Sequence, residues 1–276
     1  MFCARFDESR DTKGQKSFAI AGYIGRNEDW LELEPKLERF LQKHNLMYFK
    51  ASECESGTGQ FLQFRENPLD AALPLIKADK AILTEIKTEF VDIANSVNLW
   101  GIGAHVPIEE FNFVVSSDPE AKRILQPNPY FICFQAAMTE AGFTVNEVNE
   151  KVNYPRRARA EVVAFVFDGN EEVSGRAKQM YDNFQIKNPI SSQCFGSLAY
   201  EDEIESIGLQ VADNLVYEIM KFGLNSRYDK GRLERKAMTR LKEKTKKIYA
   251  FDRPSLQMLV RGNLKREVME SAALHD

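Results

Sequence analysis

The sequence predicts an α/β protein with a mixed β-sheet and helices on both faces of the sheet. Three observations carry this prediction. Strand-like and helix-like segments alternate along most of the chain, which is typical of α/β architecture. The N-terminal stretch holds two strand-like segments, "MFCARF" and "SFAIAGYIG", joined by the polar turn "DESRDTKGQK". An unbroken apolar run from Val162 to Phe167 is typical of a strand covered on both faces.

The elements after this hairpin follow in order. Apolar residues at helical spacing, beginning with Trp30 and Leu33, predict a helix over 27–45. The short apolar segment 46–52 predicts a third strand, and a helix over about 66–97 is expected to kink or restart at Pro74. Segment 98–107 predicts a buried strand that stops before Pro107, and 127–151 predicts an apolar helix.

The second half of the chain continues the alternation. The strand 160–170 is followed by a helix over 172–186, an edge strand over 194–200 and a strongly apolar helix over 207–222. We therefore expect one domain over residues 1–222. Residues 223–276 are expected to form a basic, helical C-terminal extension.

Composition limits the chemistry available to this chain. Its four cysteines are scattered without a paired spacing, which disfavours a zinc site or a disulfide framework and favours a reducing compartment. The chain has only three histidines, so a metal here is expected to take oxygen ligands, as Mg²⁺ and Mn²⁺ do. No leader pattern and no apolar run long enough for a bilayer are found, so we expect a cytoplasmic protein that has no membrane partner.

Charge is unevenly distributed. The net charge is −4, but residues 230–247 carry nine Lys or Arg against two Glu. An acidic body with a basic segment is expected where a carboxylate site acts on a polyanion. A solvated helical face explains the basic run equally well.

Four carboxylates are candidates for a metal site. Asp168 ends the apolar strand, where sites of α/β sheets form, although Asp-Gly is also ordinary turn chemistry. Asp213 interrupts the apolar stripe of a helix, so it needs a cation, a metal or a hydrogen-bond network, and a buried ion pair with an Arg or Lys explains it equally well. Asp7 is expected at the end of the first strand. Glu53 follows a short apolar segment, where a helix-capping role is equally ordinary. Carboxylates gathered at one sheet edge are stabilised by divalent cations, and two such ions can clamp a phosphodiester.

The order of these motifs resembles the bacterial family described as domain of unknown function 3800. The matching segments are Asp7-Glu8-Ser9, Phe18–Gly25, Lys50-Ala51-Ser52-Glu53, Phe167-Asp168 and Gln210-Val211-Ala212-Asp213. The resemblance covers roughly residues 1–222 and implies a ribonuclease H-like fold with an acidic, nuclease-type site. The sequence departs from the family pattern at Arg10, where glycine is usual, and at Tyr48-Phe49, where many relatives have histidine.

These features favour a hydrolase, a metal-dependent nuclease acting on DNA or RNA. Asp7, Glu53, Asp168 and Asp213 are expected to hold one or two Mg²⁺ or Mn²⁺ ions, with Lys50 near the scissile phosphate. Arg156, Arg157 and Arg159, together with the 230–247 run, are expected to bind backbone phosphates. A catalytically inactive binding or scaffold protein is the alternative, and a small-molecule phosphohydrolase is a third possibility. No P-loop or Rossmann glycine pattern is present.

Overall fold

The structure, a computed structural model, describes residues 1–11, 13–70, 72–151, 160–169, 171–189 and 192–273, and the side chains of the last helix only as far as residue 263. Six strands form one mixed sheet in the order β5-β4-β1-β2-β3-β6. Strand β2 runs antiparallel to both of its neighbours, while the other adjacent strands pair in parallel. The predicted α/β class with a mixed sheet is confirmed. The strands are β1 Phe2–Arg10, β2 Ser17–Arg26, β3 Trp100–Pro107, β4 Val163–Asp168, β5 Phe195–Glu201 and β6 Thr245–Ala250.

Helices cover both faces of this sheet, as predicted. One hydrophobic core, which includes Phe6, Phe134 and Phe167, lies between the sheet and the side carrying α6 and α7. A second core, which includes Tyr23, Leu37 and Val216, lies on the opposite side, with α1, α3 and α8. None of the described helices has the length and apolar character needed to cross a membrane. The helices are α1 Asn27–Lys43, α2 Ala51–Ser56, α3 Lys77–Asn95, α4 Ile108–Ser117, α5 Pro119–Leu125, α6 Tyr130–Lys151, α7 Glu171–Lys187, α8 Ile207–Tyr228, α9 Lys236–Lys242 and α10 Arg253–Ala273, with a 3-10 helix at Gly59–Phe64.

Strand β1 is longer than the sequence pattern suggested. It continues through Asp7 and Ser9 to Arg10, and each of these residues pairs with β2, Asp7 opposite Ala21. Asp7 is therefore inside the strand rather than at its end. It points to the face of the sheet opposite to Phe6, in keeping with the alternation of side chains along a strand. The polar residues after Phe6 therefore continue the strand and its alternation of side chains, and one of them, Asp7, is a buried carboxylate.

One predicted element is wrong and another is shorter than predicted. Segment 46–52 is not a strand, because its backbone groups bond side chains of α8: the N–H of Phe49 donates to Gln210 at 2.9 Å and that of Ala51 to Asp213 at 2.6 Å. The helix expected over about 66–97 is shorter than predicted: it begins at Lys77, after Pro68 and Pro74, which agrees with the expected restart at Pro74 because proline interrupts a helix.

The C-terminal segment is not purely helical. Helix α8 runs through the expected boundary at 222 to Tyr228, and residues Thr245–Ala250 form β6, which pairs in parallel with β3. Much of the basic run is thus part of the sheet and of α9. The cause is the unpaired edge of β3, whose N–H and C=O groups need partners; the N–H of Gly101, for example, donates to the carbonyl of Lys244 at 2.7 Å.

Helix α8 lies directly on the sheet because glycines in and below it leave room. A Cβ at Gly103 of β3 would lie 2.5 Å from Cδ1 of Ile219, and one at Gly208 would lie 1.9 Å from Nη1 of Arg5. A larger residue at either position would require the Ile219 or Arg5 side chain to move. The close packing brings the helix-borne Asp213 down to the level of β1.

Candidate metal centre

The first carboxylate of the site is Asp7, in the middle of the sheet. Its strand β1 lies between β2 and β4, and the side chain is 4% exposed. The backbone N–H of Glu8 donates a 2.6 Å hydrogen bond to Oδ1 of Asp7, which orients the carboxylate. A buried carboxylate with this little compensation needs an additional positive partner.

Asp213 reaches the same place from above the sheet. It lies in α8, is 7% exposed, and accepts the N–H of Ala51 at Oδ2. The apolar neighbours that the sequence placed on its helix face, Leu209, Val216 and Met220, are all buried. The sequence-based interpretation of Asp213 as a charge inserted into a core-facing stripe is thus confirmed.

A third carboxylate, Glu203, arrives from the loop after β5. Its backbone N–H donates to Oδ1 of Asp168 at 3.2 Å, and its side chain forms an ion pair with the Nζ of Lys50. Asp168 at the end of β4 therefore helps to position the loop, and Lys50 holds the carboxylate of Glu203.

One ligand oxygen from each of Asp7, Glu203 and Asp213 lies within 4.8 Å of the others. We call these three residues the acidic triad. Within the described residues they are the one group of three or more acidic, histidine or cysteine ligands this close together. Oxygen donors in this number suit a hard divalent cation better than a soft metal. The donor set therefore fits a divalent metal site at this position.

The electrostatics of the triad point the same way. Burial, then the charges of Asp213 and Asp168, raise the pKa of Asp7 well above its usual range. Burial likewise raises the pKa of Asp213 to about 6, against the lowering effect of the Ala51 N–H and of Lys50. Burial also raises the pKa of Asp168, while the N–H of Gly169 and Lys50 lower it. Each of these shifts opposes ionisation, and a bound cation would favour it.

Of the five residues predicted for the site, Asp7 and Asp213 belong to the triad. Asp168 is connected to the triad by the hydrogen bond that it accepts from the backbone of Glu203, and Lys50 is the ion-pair partner of Glu203. Glu53 is directed elsewhere: its carboxylate accepts the hydroxyl of Tyr48 at 3.2 Å and lies against Gly59, where a Cβ would be 2.0 Å from Oε2. Glu53 is not among the three carboxylates brought together.

Glu203 is the site residue that sequence reasoning missed. It lies in the acidic stretch "EDEIE" immediately after the edge strand, so the signal was present. Strands β4 and β5 are parallel, and their carboxyl ends therefore meet at one edge of the sheet. Applying the strand-end rule used for Asp168 to β5 as well would have selected this stretch.

The structure describes only one of the two basic groups predicted to bind nucleic acid, the run over 230–247. Arg156, Arg157 and Arg159 lie outside the described residues. Within 230–247, several cations already form ion pairs at the surface: Arg240 with Asp92, Lys242 with Glu234, and Lys246 with Glu147. The run is therefore less available to a polyanion than its composition suggests.

Comparison with known proteins adds no assignment. No protein-family model matches the chain, and no curated protein matches it.

Proposed function

We propose that this protein is a metal-dependent phosphodiesterase that cleaves nucleic acid. The observation that carries the proposal is the acidic triad, in which two buried carboxylates and one half-buried carboxylate lie within 4.8 Å of one another. Such a cluster is unfavourable by itself and is a common way of holding Mg²⁺ or Mn²⁺ for phosphoryl chemistry.

The fold supports this proposal. A mixed sheet in which β2 alone runs against the other strands, with helices on both faces, agrees with the ribonuclease H-like fold implied by the resemblance to domain of unknown function 3800. The motifs behind that resemblance also meet in space. Strand β1 supplies Asp7, β4 supplies Asp168, and α8 supplies Asp213, while the segment containing Lys50 lies against α8.

The residues of the chain have separate roles in this proposal. Asp7, Glu203 and Asp213 hold the ion, and Asp168 fixes the loop of Glu203 through its backbone. Lys50 forms an ion pair with the carboxylate of Glu203 and orients it, and in this proposal the same ammonium also attracts an incoming phosphate. A bound divalent cation supplies the Lewis acid that phosphodiester hydrolysis requires.

The first experiment measures the melting temperature in EDTA, Mg²⁺ and Mn²⁺. The wild type is compared with Glu203→Gln/Asp213→Asn and with Glu205→Gln, which changes an exposed carboxylate in the same loop. A ligand at a hundred times its Kd stabilises by about 2.7 kcal/mol, which is roughly 5 °C or more for a chain of this size. We expect that increase in the wild type and in Glu205→Gln, and none in the double variant.

Cleavage is then tested with labelled DNA, RNA and DNA–RNA hybrid. Metal-dependent cleavage that the double variant lacks supports the nuclease. A metal-dependent melting shift without cleavage of any of the three favours the small-molecule phosphohydrolase. If neither metal changes the melting temperature, the proposal fails and the inactive binding or scaffold protein becomes the better description.

A further inference from the structure

A second charged feature lies on the α8 side of the sheet, separate from the acidic triad. A cavity of about 450 Å³ opens between α2, α3 and the segment that leads into α9. Five cationic side chains line it, against the single carboxylate of Glu55. We call it the cationic cavity, and its five cations are Lys80, Lys87, Arg232, Arg235 and Lys236.

Two of the five cations have a structural role. Lys87 Nζ lies 2.5 Å from Oε1 of Glu218, a fully buried carboxylate. Arg235 donates from Nε to Oε2 of Glu218 at 2.8 Å and from Nη1 to Oε1 of Glu55 at 2.7 Å. A buried carboxylate requires such partners, so the stability of the fold accounts for these two cations.

The other three cations are not accounted for in this way. Lys80, Arg232 and Lys236 are exposed at the mouth of the cavity, and within the described part of the chain their side chains make no hydrogen bond or ion pair. Like charges held at one opening repel each other, and this repulsion is unfavourable in the unliganded protein. An anion in the cavity would relieve this repulsion.

The cationic cavity adjoins the acidic triad through two helices. On α8, Asp213 of the triad and Tyr217 are four residues apart and share a face; the ammonium of Lys87 lies 4.9 Å from the Tyr217 ring centroid. Glu218 is about 7.5 Å along the helix axis from Asp213. Helix α2 makes the same connection, since Ala51 bonds Asp213 and Glu55 bonds Arg235.

We propose that the cationic cavity binds a phosphate group of the same ligand that reaches the acidic triad. Lysine and arginine recognise phosphate by charge and by directed N–H donors, and a cavity of this volume accommodates one such group with its ester substituent. That the phosphate belongs to a nucleic-acid strand rests on the proposed function. Recognition of phosphate by the cavity does not.

The test uses the full-length protein in EDTA, so that the acidic triad is without metal. Fluorescence anisotropy measures the binding of a short labelled oligothymidylate over a series of salt concentrations. The variant is Lys80→Gln/Lys236→Gln, which removes two exposed cations without a structural partner. The matched control is Lys122→Gln/Lys187→Gln, two exposed lysines in α5 and α7. All three proteins are expected to melt at the same temperature.

Each phosphate contact to a single strand contributes about 0.7 to the slope of log affinity against log salt. The cavity variant is expected to lose roughly 1.4 of that slope and to bind about tenfold more weakly at low salt. The control is expected to match the wild type. Equal losses in both variants, or no loss in either, would show general surface electrostatics and overturn the proposal.

A second arm, with inorganic phosphate as competitor, separates the possible sources. Phosphate that displaces the oligonucleotide from the wild type but not from the cavity variant supports a shared phosphate site. Phosphate binding that depends on the cavity while no oligonucleotide binds supports the cavity and rules out the polymer as its source. Because metal is absent, a failure of the nuclease proposal leaves these results unchanged, and binding retained by Glu203→Gln/Asp213→Asn would confirm that the two sites are separable.

Discussion

The backbone N–H of Ala51 lies 2.6 Å from Oδ2 of Asp213, so the first residue of α2 donates a hydrogen bond to a buried carboxylate of α8. This bond joins the "KASE" segment to the "QVAD" segment, which are far apart in the chain. It fixes the direction of the Asp213 carboxylate whether or not a cation is bound. The geometry of the acidic triad is thus supported by backbone and not only by side chains.

Glu203 and Glu53 are expected to respond differently to substitution. Glu203→Gln removes one charge of the triad and should abolish the metal-dependent increase in melting temperature. Glu53→Gln keeps the contact with the Tyr48 hydroxyl and should leave that increase intact. The measurement is a thermal melt in EDTA and in Mn²⁺. A loss of the increase in Glu53→Gln would return Glu53 to the set of metal ligands.

Asp7→Asn is expected to raise the melting temperature of the metal-free protein. The folded state raises the pKa of Asp7, so ionisation at neutral pH costs stability that asparagine does not. A gain of about 1 kcal/mol corresponds to roughly 2–4 °C. Asp11→Asn is the contrasting control. The carboxylate of Asp11 accepts the N–H groups of Lys16 and Ser17 at 2.7 and 2.9 Å, so its loss should lower the melting temperature. A lower melting temperature for Asp7→Asn would argue against repulsion in the triad.

Acid should destabilise the protein through His105. Burial, followed by the charge of Arg227, lowers the pKa of His105 to about 4, and its Nε2 lies 2.9 Å from Oγ of Ser17. Below the unfolded pKa of 6.5 the unfolded chain binds the proton and the folded chain does not. Stability is therefore lost as pH falls from about 6.5 towards 4, by roughly 3 kcal/mol at most. Urea unfolding of wild type and His105→Gln at both ends of this range checks it; equal losses in the two proteins would contradict the assignment.

Replacing one partner of the buried Lys87–Glu218 pair should lower the free energy of unfolding strongly, whereas replacing both partners should add little to that loss. Lys87→Met leaves the fully buried Glu218 with Arg235 alone and should destabilise by about 3 kcal/mol. Lys87→Met/Glu218→Gln should cost less than the sum of the single changes. Lys178→Ala, which breaks an exposed pair with Asp182, should cost under about 1 kcal/mol. Urea unfolding of these three variants and of the single variant Glu218→Gln measures these costs, and additive effects would show that the pair is not coupled.

The sequence predicted the elements whose local pattern matches their environment. Most of the run from Val162 to Phe167 and the apolar stripe of α8 are buried, so hydrophobicity alone located them. The pattern failed where side chains from distant segments satisfy the backbone. Phe49 looks like a strand residue because it is buried, yet its N–H is taken by Gln210. Glu203 was missed because the strand-end argument was applied to β4 and not to the edge strand β5, although the parallel pairing of the two brings their carboxyl ends together.

Strand β6 has a consequence for any shortened form of this protein. Residues Gly101–His105 of β3 are paired on one side by β2 and on the other by β6 alone. A chain ending at residue 222 would leave that row of N–H and C=O groups open on an apolar strand, which is a template for pairing with a second molecule. The C-terminal segment thus protects the edge of β3 from pairing with a second molecule, and a protein without this segment should aggregate in solution.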